Sequence, residues 1–186
     1  IFDNKRYAGL SFPKPMEKCG SATPARDTYN RPAQFFPETE DGIRWDVISQ
    51  VGALLKSQSP SNPLVGYNVQ YVYASMQSGG DLPTYVSAIA KNVKLENGKP
   101  VYDAYLIKDS GAPGALNACS QRLSANDPRR IFRNVGVPVI QIQAQNAVAV
   151  DIRREDSDTP GDQFRRYELP GASHFDQVHF QYKPPV

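Results

Sequence analysis

The residue pattern predicts an α/β protein with a mostly parallel sheet flanked by helices. Helical and strand periodicities alternate along the chain, and parallel strands need crossovers of that kind to join them. Proline and glycine clusters separate the periodic stretches, as connections between elements require. At 186 residues, with 40% hydrophobic and 22% charged side chains, the chain can bury the core of one domain and lacks the composition of a disordered one.

Residues 1–40 are rich in Pro, Lys and Asn and show little periodicity. Phe12-Pro13-Lys14-Pro15 and Asn30-Arg31-Pro32 favour extended or turn backbone, because proline fixes φ and restricts the residue before it. This segment is predicted to wrap a surface, leaving residues 41–186 as the folded unit. From Asp41 to Ser57, Ile43, Val47, Ile48, Val51, Leu54 and Leu55 recur at helical spacing, with Asp41 as N-cap. Pro60 and Pro63 end that helix. Val69 to Ala74 is a β-prone run that passes through Ser75-Met76-Gln77-Ser78-Gly79-Gly80 into a second helical pattern of Leu82, Tyr85, Val86 and Ile89. Pro83 suits the first turn of that helix, where a missing N–H costs nothing. Further strands are predicted at Val101 to Ile107, Val137 to Gln143 and Phe164 to Leu169, the last ending at Pro170-Gly171.

With 21 basic and 19 acidic side chains the formal net charge is +2, which makes no electrostatic case for nucleic acid or an anionic membrane. No apolar run approaches the roughly 20 residues that span a bilayer. Cys19 and Cys119 lie far apart, and neither has a partner at metal-ligand spacing. They could form one long-loop disulfide in a secreted protein, or stand as unrelated thiols, so the compartment stays open. No cofactor is implied.

A strand turning sharply through small residues into a helix is the setting of a nucleophile elbow, whose chain order is nucleophile, acid, histidine. Here an elbow near 74–80 is followed by the loop after Gln143 and then by His174, which follows the last strand in Gly171-Ala172-Ser173-His174.

Several segments together resemble the α/β-hydrolase-domain proteins typified by a Gly-x-Ser-Gln-Ser elbow. They are the stretches 3–10, Trp45-Asp46-Val47-Ile48-Ser49-Gln50, Gln77 to Tyr85, Tyr102 to Leu106, Val137 to Gln141 and Arg166 to His174. The resemblance covers most of the chain but only the later portion of the family's length. It implies an N-terminal portion of the same fold, as a separate or preceding segment, holding the early strands and one oxyanion-hole N–H. Without it the sheet and the site are expected to be incomplete.

The resemblance also exposes departures. Registered on Gln77-Ser78 and Leu82, the elbow reads Ala74-Ser75-Met76-Gln77-Ser78, with Met76 at the nucleophile position. The family's Thr-Glu-x-Asp acid region meets Ala144, Gln145, Asn146 and Ala147, and only His174 carries over. A thioether has no proton to lose and forms no stable acyl adduct. The expected protein is therefore a degenerate α/β-hydrolase fold that binds a small apolar ligand, or acts as a scaffold, without turnover. The alternative is an active carboxylic-ester hydrolase with Ser78, or Ser75, as nucleophile and His174 as general base. Met76-Gln77-Ser78-Gly79-Gly80 fits Gly-x-Ser-x-Gly with its first glycine replaced. Ser78 is nonetheless expected two residues beyond the strand end, in the first helical turn, where it would serve as a cap. Asp151, Asp156 or Asp158 could supply the acid, although their loop reads more simply as solvated charge. His174 itself also fits a purely structural hydrogen-bonding role, His179 belongs to a tail strand, and Met76 fits a polarizable filler.

Overall fold

The computed structural model describes residues 43–110, 123–124, 126–148 and 153–174. The predicted wrapping segment 1–40, the Asp41 cap, Asp151, His179 and both cysteines lie outside them.

Helix α1, Ile43–Leu55, presents Trp45, Ile48 and Leu55 to the core. The carbonyl of its last residue, Leu55, which has no partner within the helix, accepts from Nδ2 of buried Asn62 at 3.3 Å, and the same nitrogen donates to the Ser57 carbonyl just beyond at 2.7 Å. Beyond the helix, Lys56 ion-pairs with Asp103 at 2.8 Å. The same carboxylate oxygen, Oδ2, also accepts the Val72 N–H at 2.7 Å, so one side chain ties the end of α1 to the entrances of two strands.

Four strands form a parallel sheet in sequential order: β1 Tyr73–Gln77, β2 Ala104–Lys108, β3 Val139–Ala144 and β4 Phe164–Leu169. The α/β expectation is met, and β4 has the bounds read from its sequence. β1 begins four residues later than its apolar run. It pairs only where β2 offers partners, from Tyr73 opposite Ala104 to Gln77 opposite Lys108. Val101 and Tyr102, ahead of β2, are used instead to pack α1. Hydrogen-bond partners, not hydrophobicity, set these strand ends.

After β1, helix α2, Asp81–Thr84, opens into a wide π turn at Tyr85–Ile89 and closes with a 3₁₀ turn at Ala90–Asn92. A single regular helix was the expectation. The Thr84 hydroxyl donates back to the Gly80 carbonyl at 2.6 Å, a bond that competes with regular helix geometry. Pro83 does sit in the first turn, as predicted. A four-residue helix α3, Gln145–Val148, follows β3 directly.

The core centres on Tyr85, Tyr102 and Tyr105, whose rings meet edge-on or tilted with centroids 5.7–6.4 Å apart. Their hydroxyls need partners in such a setting. Tyr85 pairs with Ser49 Oγ at 2.9 Å, and Tyr102 donates to the Ile48 carbonyl at 2.6 Å. Burial pushes the phenol pKa of Tyr85 and Tyr105 upward, so both stay neutral.

Gly52 makes the α1 contact possible. A Cβ there would lie 2.5 Å from Val101 Cγ1 and 2.7 Å from the Tyr102 ring. Gly52→Ala is expected to cost about 1–3 kcal/mol by overpacking, despite the better helix propensity of alanine. Thermal unfolding would show a Tm lowered by several degrees; an unchanged Tm would mean that α1 shifts freely against β2.

Candidate active site

Because all four strands run the same way, their C-terminal ends share one edge of the sheet, where open α/β sheets place their ligands. Four sequence positions reach that edge: Ser78 after β1, Asp109 after β2, Gln145 after β3, and His174 in the loop after β4.

Ser78 is the first residue beyond β1, not part of the helix. The expected placement in the first helical turn is thus corrected, and with it the objection that Ser78 lies too far from the strand end, because β1 runs on to Gln77. Ser78 is exposed and adopts φ 68°, followed by Gly79 at φ 80°. Its N–H donates to the Lys108 carbonyl at 3.1 Å, so the turn closes onto β2. A non-glycine residue in this region costs on the order of 1–3 kcal/mol unless its surroundings enforce it.

Ser75 and Met76 lie within β1 and face opposite ways. Ser75 is exposed. Met76 points to the core side, and its thioether sulfur accepts the Leu82 N–H at 3.4 Å. Met76 therefore fills space under α2 and satisfies a helix N-terminal donor, instead of standing at the tip of the turn.

Asp109 is a residue that the sequence reading missed. It also has a left-handed backbone, φ 43°, and two hydrogen bonds of its own hold it. Its N–H donates to the Ile142 carbonyl at 2.9 Å. Its Oδ1 accepts the Ala144 N–H. The next residue, Ser110, is gripped by the buried Gln143 amide, which accepts from the Ser110 N–H and donates to the Ser110 carbonyl, both at 3.2 Å. The second carboxylate oxygen, Oδ2, lies 3.8 Å from His174 Nδ1, with both side chains largely buried. The legible signal was an aspartate ending a predicted strand at Ile107-Lys108-Asp109-Ser110, but nothing local connects it to His174.

The loop carrying His174 is anchored to the other strand ends. The Gln145 N–H donates to the Ala172 carbonyl and its side-chain Oε1 accepts the Gly171 N–H, both at 3.2 Å. Gln77 Nε2 reaches the His174 carbonyl at 3.4 Å. Gln145 thus positions the histidine loop, while Asn146 is exposed and Ala147 buried in α3. Asp156 accepts from the Arg166 N–H at 3.0 Å, and Asp158 ion-pairs with Arg165, so both are engaged by β4.

A cleft of about 410 Å³ is lined by Arg153, Arg154, Glu155, Asp156, Arg166 and Glu168, a charged surface unsuited to an apolar ligand. Among the described residues, no helix is long and apolar enough to cross a membrane.

A family model described as an alpha/beta hydrolase domain matches residues 1–185. No curated protein and no solved structure matches the chain.

Proposed function

The chain belongs to the alpha/beta hydrolase domain family, and from that membership we propose that it is an active carboxylic-ester hydrolase with Ser78 as nucleophile and His174 as general base. The observation that carries this reading is the left-handed Ser78 at the strand-to-helix turn, on the same sheet edge as His174. A strained turn residue that lifts its hydroxyl off a parallel sheet is what acyl transfer needs. In the reaction the Ser78 oxygen attacks the ester carbonyl and its proton passes to His174. The tetrahedral adduct then expels the alcohol, which takes that proton. Water, deprotonated by His174, attacks the acyl-serine, and the proton returns to Ser78 as the acid leaves. In such elbows the N–H of the residue after the nucleophile serves the oxyanion, and in this reading that residue is Gly79.

A second reading, a fold without turnover that acts as a scaffold or holds a small apolar ligand, is favoured by Met76 at the position that registers with the family nucleophile. The two differ in one measurement. A fluorophosphonate probe on the unmodified protein, followed by peptide mapping of residues 69–80, is expected to label Ser78. No labelled serine would leave the scaffold reading standing.

The outer edge of β1 bears no strand among the described residues, and Tyr71 and Tyr73 stack exposed beside it with ring centroids 6.1 Å apart. This supports the proposal that a further portion of the same fold pairs there.

A further inference from the structure

We propose that Asp109 is the acid of this site: its carboxylate orients His174, replacing the carboxylates absent at Gln145 and Ala147. The inference rests on the ester-hydrolase reading and names the positioning residue that reading lacks. Four observations converge on it. Asp109 Oδ2 is 3.8 Å from His174 Nδ1, an ion-pair separation of the kind that tightens to a hydrogen bond once substrate is bound. Oδ1 is already occupied by the Ala144 N–H, so the carboxylate cannot rotate away without losing that bond. The left-handed backbone of Asp109 is enforced by the Ile142 carbonyl and by the Gln143 amide clamp on Ser110. Strain held this firmly at a strand end marks a residue placed for a task. Lastly, β2 lies next to β1, so Asp109 follows Lys108, the residue whose carbonyl receives the Ser78 N–H.

The chemistry follows from which nitrogen the carboxylate faces. A carboxylate accepts only, so it selects the neutral imidazole that carries its proton on Nδ1 and leaves Nε2 free to receive a proton from Ser78. An asparagine at 109 keeps the oxygen for the Ala144 N–H and tolerates the left-handed backbone. Its amide then presents N–H groups to Nδ1, which selects the opposite tautomer. This makes Asp109→Asn a test that spares the fold.

The experiment pairs ester turnover with ¹⁵N imidazole spectra of the wild type and Asp109→Asn at about pH 8, where an unperturbed imidazole is neutral. There are two histidines in the chain, so a His179→Gln variant assigns the signals. The expected result is an Nδ1–H tautomer of His174 that switches to Nε2–H in Asp109→Asn. With it, kcat falls about 10³- to 10⁴-fold at unchanged KM. A wild type without turnover whose tautomer still switches would sink the hydrolase reading and keep the Asp109–His174 pair. Turnover and tautomer both unchanged in Asp109→Asn would overturn the assignment of Asp109 while leaving the hydrolase reading intact.

Discussion

Ser78→Ala is expected to abolish ester turnover, with kcat falling by about six decades, the loss seen when a serine hydrolase is stripped of its nucleophile. Binding and any oxyanion contacts survive such a change, so a residual rate about three to four decades above water can persist. Two companion variants make the result specific. Ser75→Ala should retain activity, because Ser75 sits inside β1 opposite Leu106 and not at the turn. Met76→Ser should gain no labelling by a fluorophosphonate, because that side chain points beneath α2 toward the Leu82 N–H. It should also lose some stability, since a partly buried thioether packed against the core is exchanged for a smaller hydroxyl. Should Met76→Ser instead gain turnover by orders of magnitude, position 76 is the nucleophile site and the natural chain is the form without turnover.

The largest stability effect is expected at Arg154, whose side chain is only 5% exposed. Its two terminal nitrogens clasp Asp162 in a bidentate pair at 2.8 and 2.9 Å, and one of them also donates to the Phe132 carbonyl. The guanidinium lies 4.9 Å from the centre of the Phe164 ring. Asp162 also accepts the Asn134 N–H at 2.6 Å, so the cluster joins the start of β4 to the segment that leads into β3. Arg154→Ala is expected to cost about 3–5 kcal/mol, because it strands a shielded carboxylate and a carbonyl together. Urea unfolding measures this directly, and a loss below about 1 kcal/mol would show that the pair behaves as an exposed one.

The same pair predicts a pH dependence. Hydrogen bonds from Arg154 hold the Asp162 carboxyl below its ordinary range, against the opposing effect of burial. A pKa lower in the folded state stabilises the protein above the unfolded value of about 3.9. That contribution fades as pH falls through the folded value. Wild-type stability should therefore drop below about pH 4, and the drop should be shallower in Arg154→Ala, where the shift has lost its cause. Equal slopes in the two proteins would remove Asp162 from the account.

Local pattern carried much of the architecture. Helical spacing from Ile43 to Leu55 identified α1, and alternation with β-prone runs implied a parallel sheet. Phe164 to Leu169 could be read as a strand that ends at the turn residues Pro170-Gly171. Sequence order also placed His174 after the last strand, and the elbow near 74–80. These features depend on neighbours a few residues apart, which is the range over which periodicity and turn chemistry act.

What lay beyond that range was decided by the sheet. The end of β1 depends on where β2 offers hydrogen bonds, and that extension moved Ser78 from the helix to the tip of the turn. Met76 turned inward because β1 alternates its faces and α2 needed an acceptor. The pairing of Asp109 with His174 had no local signature, since their chain segments meet only when β2, β3 and β4 align in register and Gln143 and Gln145 anchor the loops between them. A sequence determines its elements through short-range sterics and burial. Which acid faces which base is set by hydrogen bonds between strands distant in the chain, and those exist only in the folded sheet.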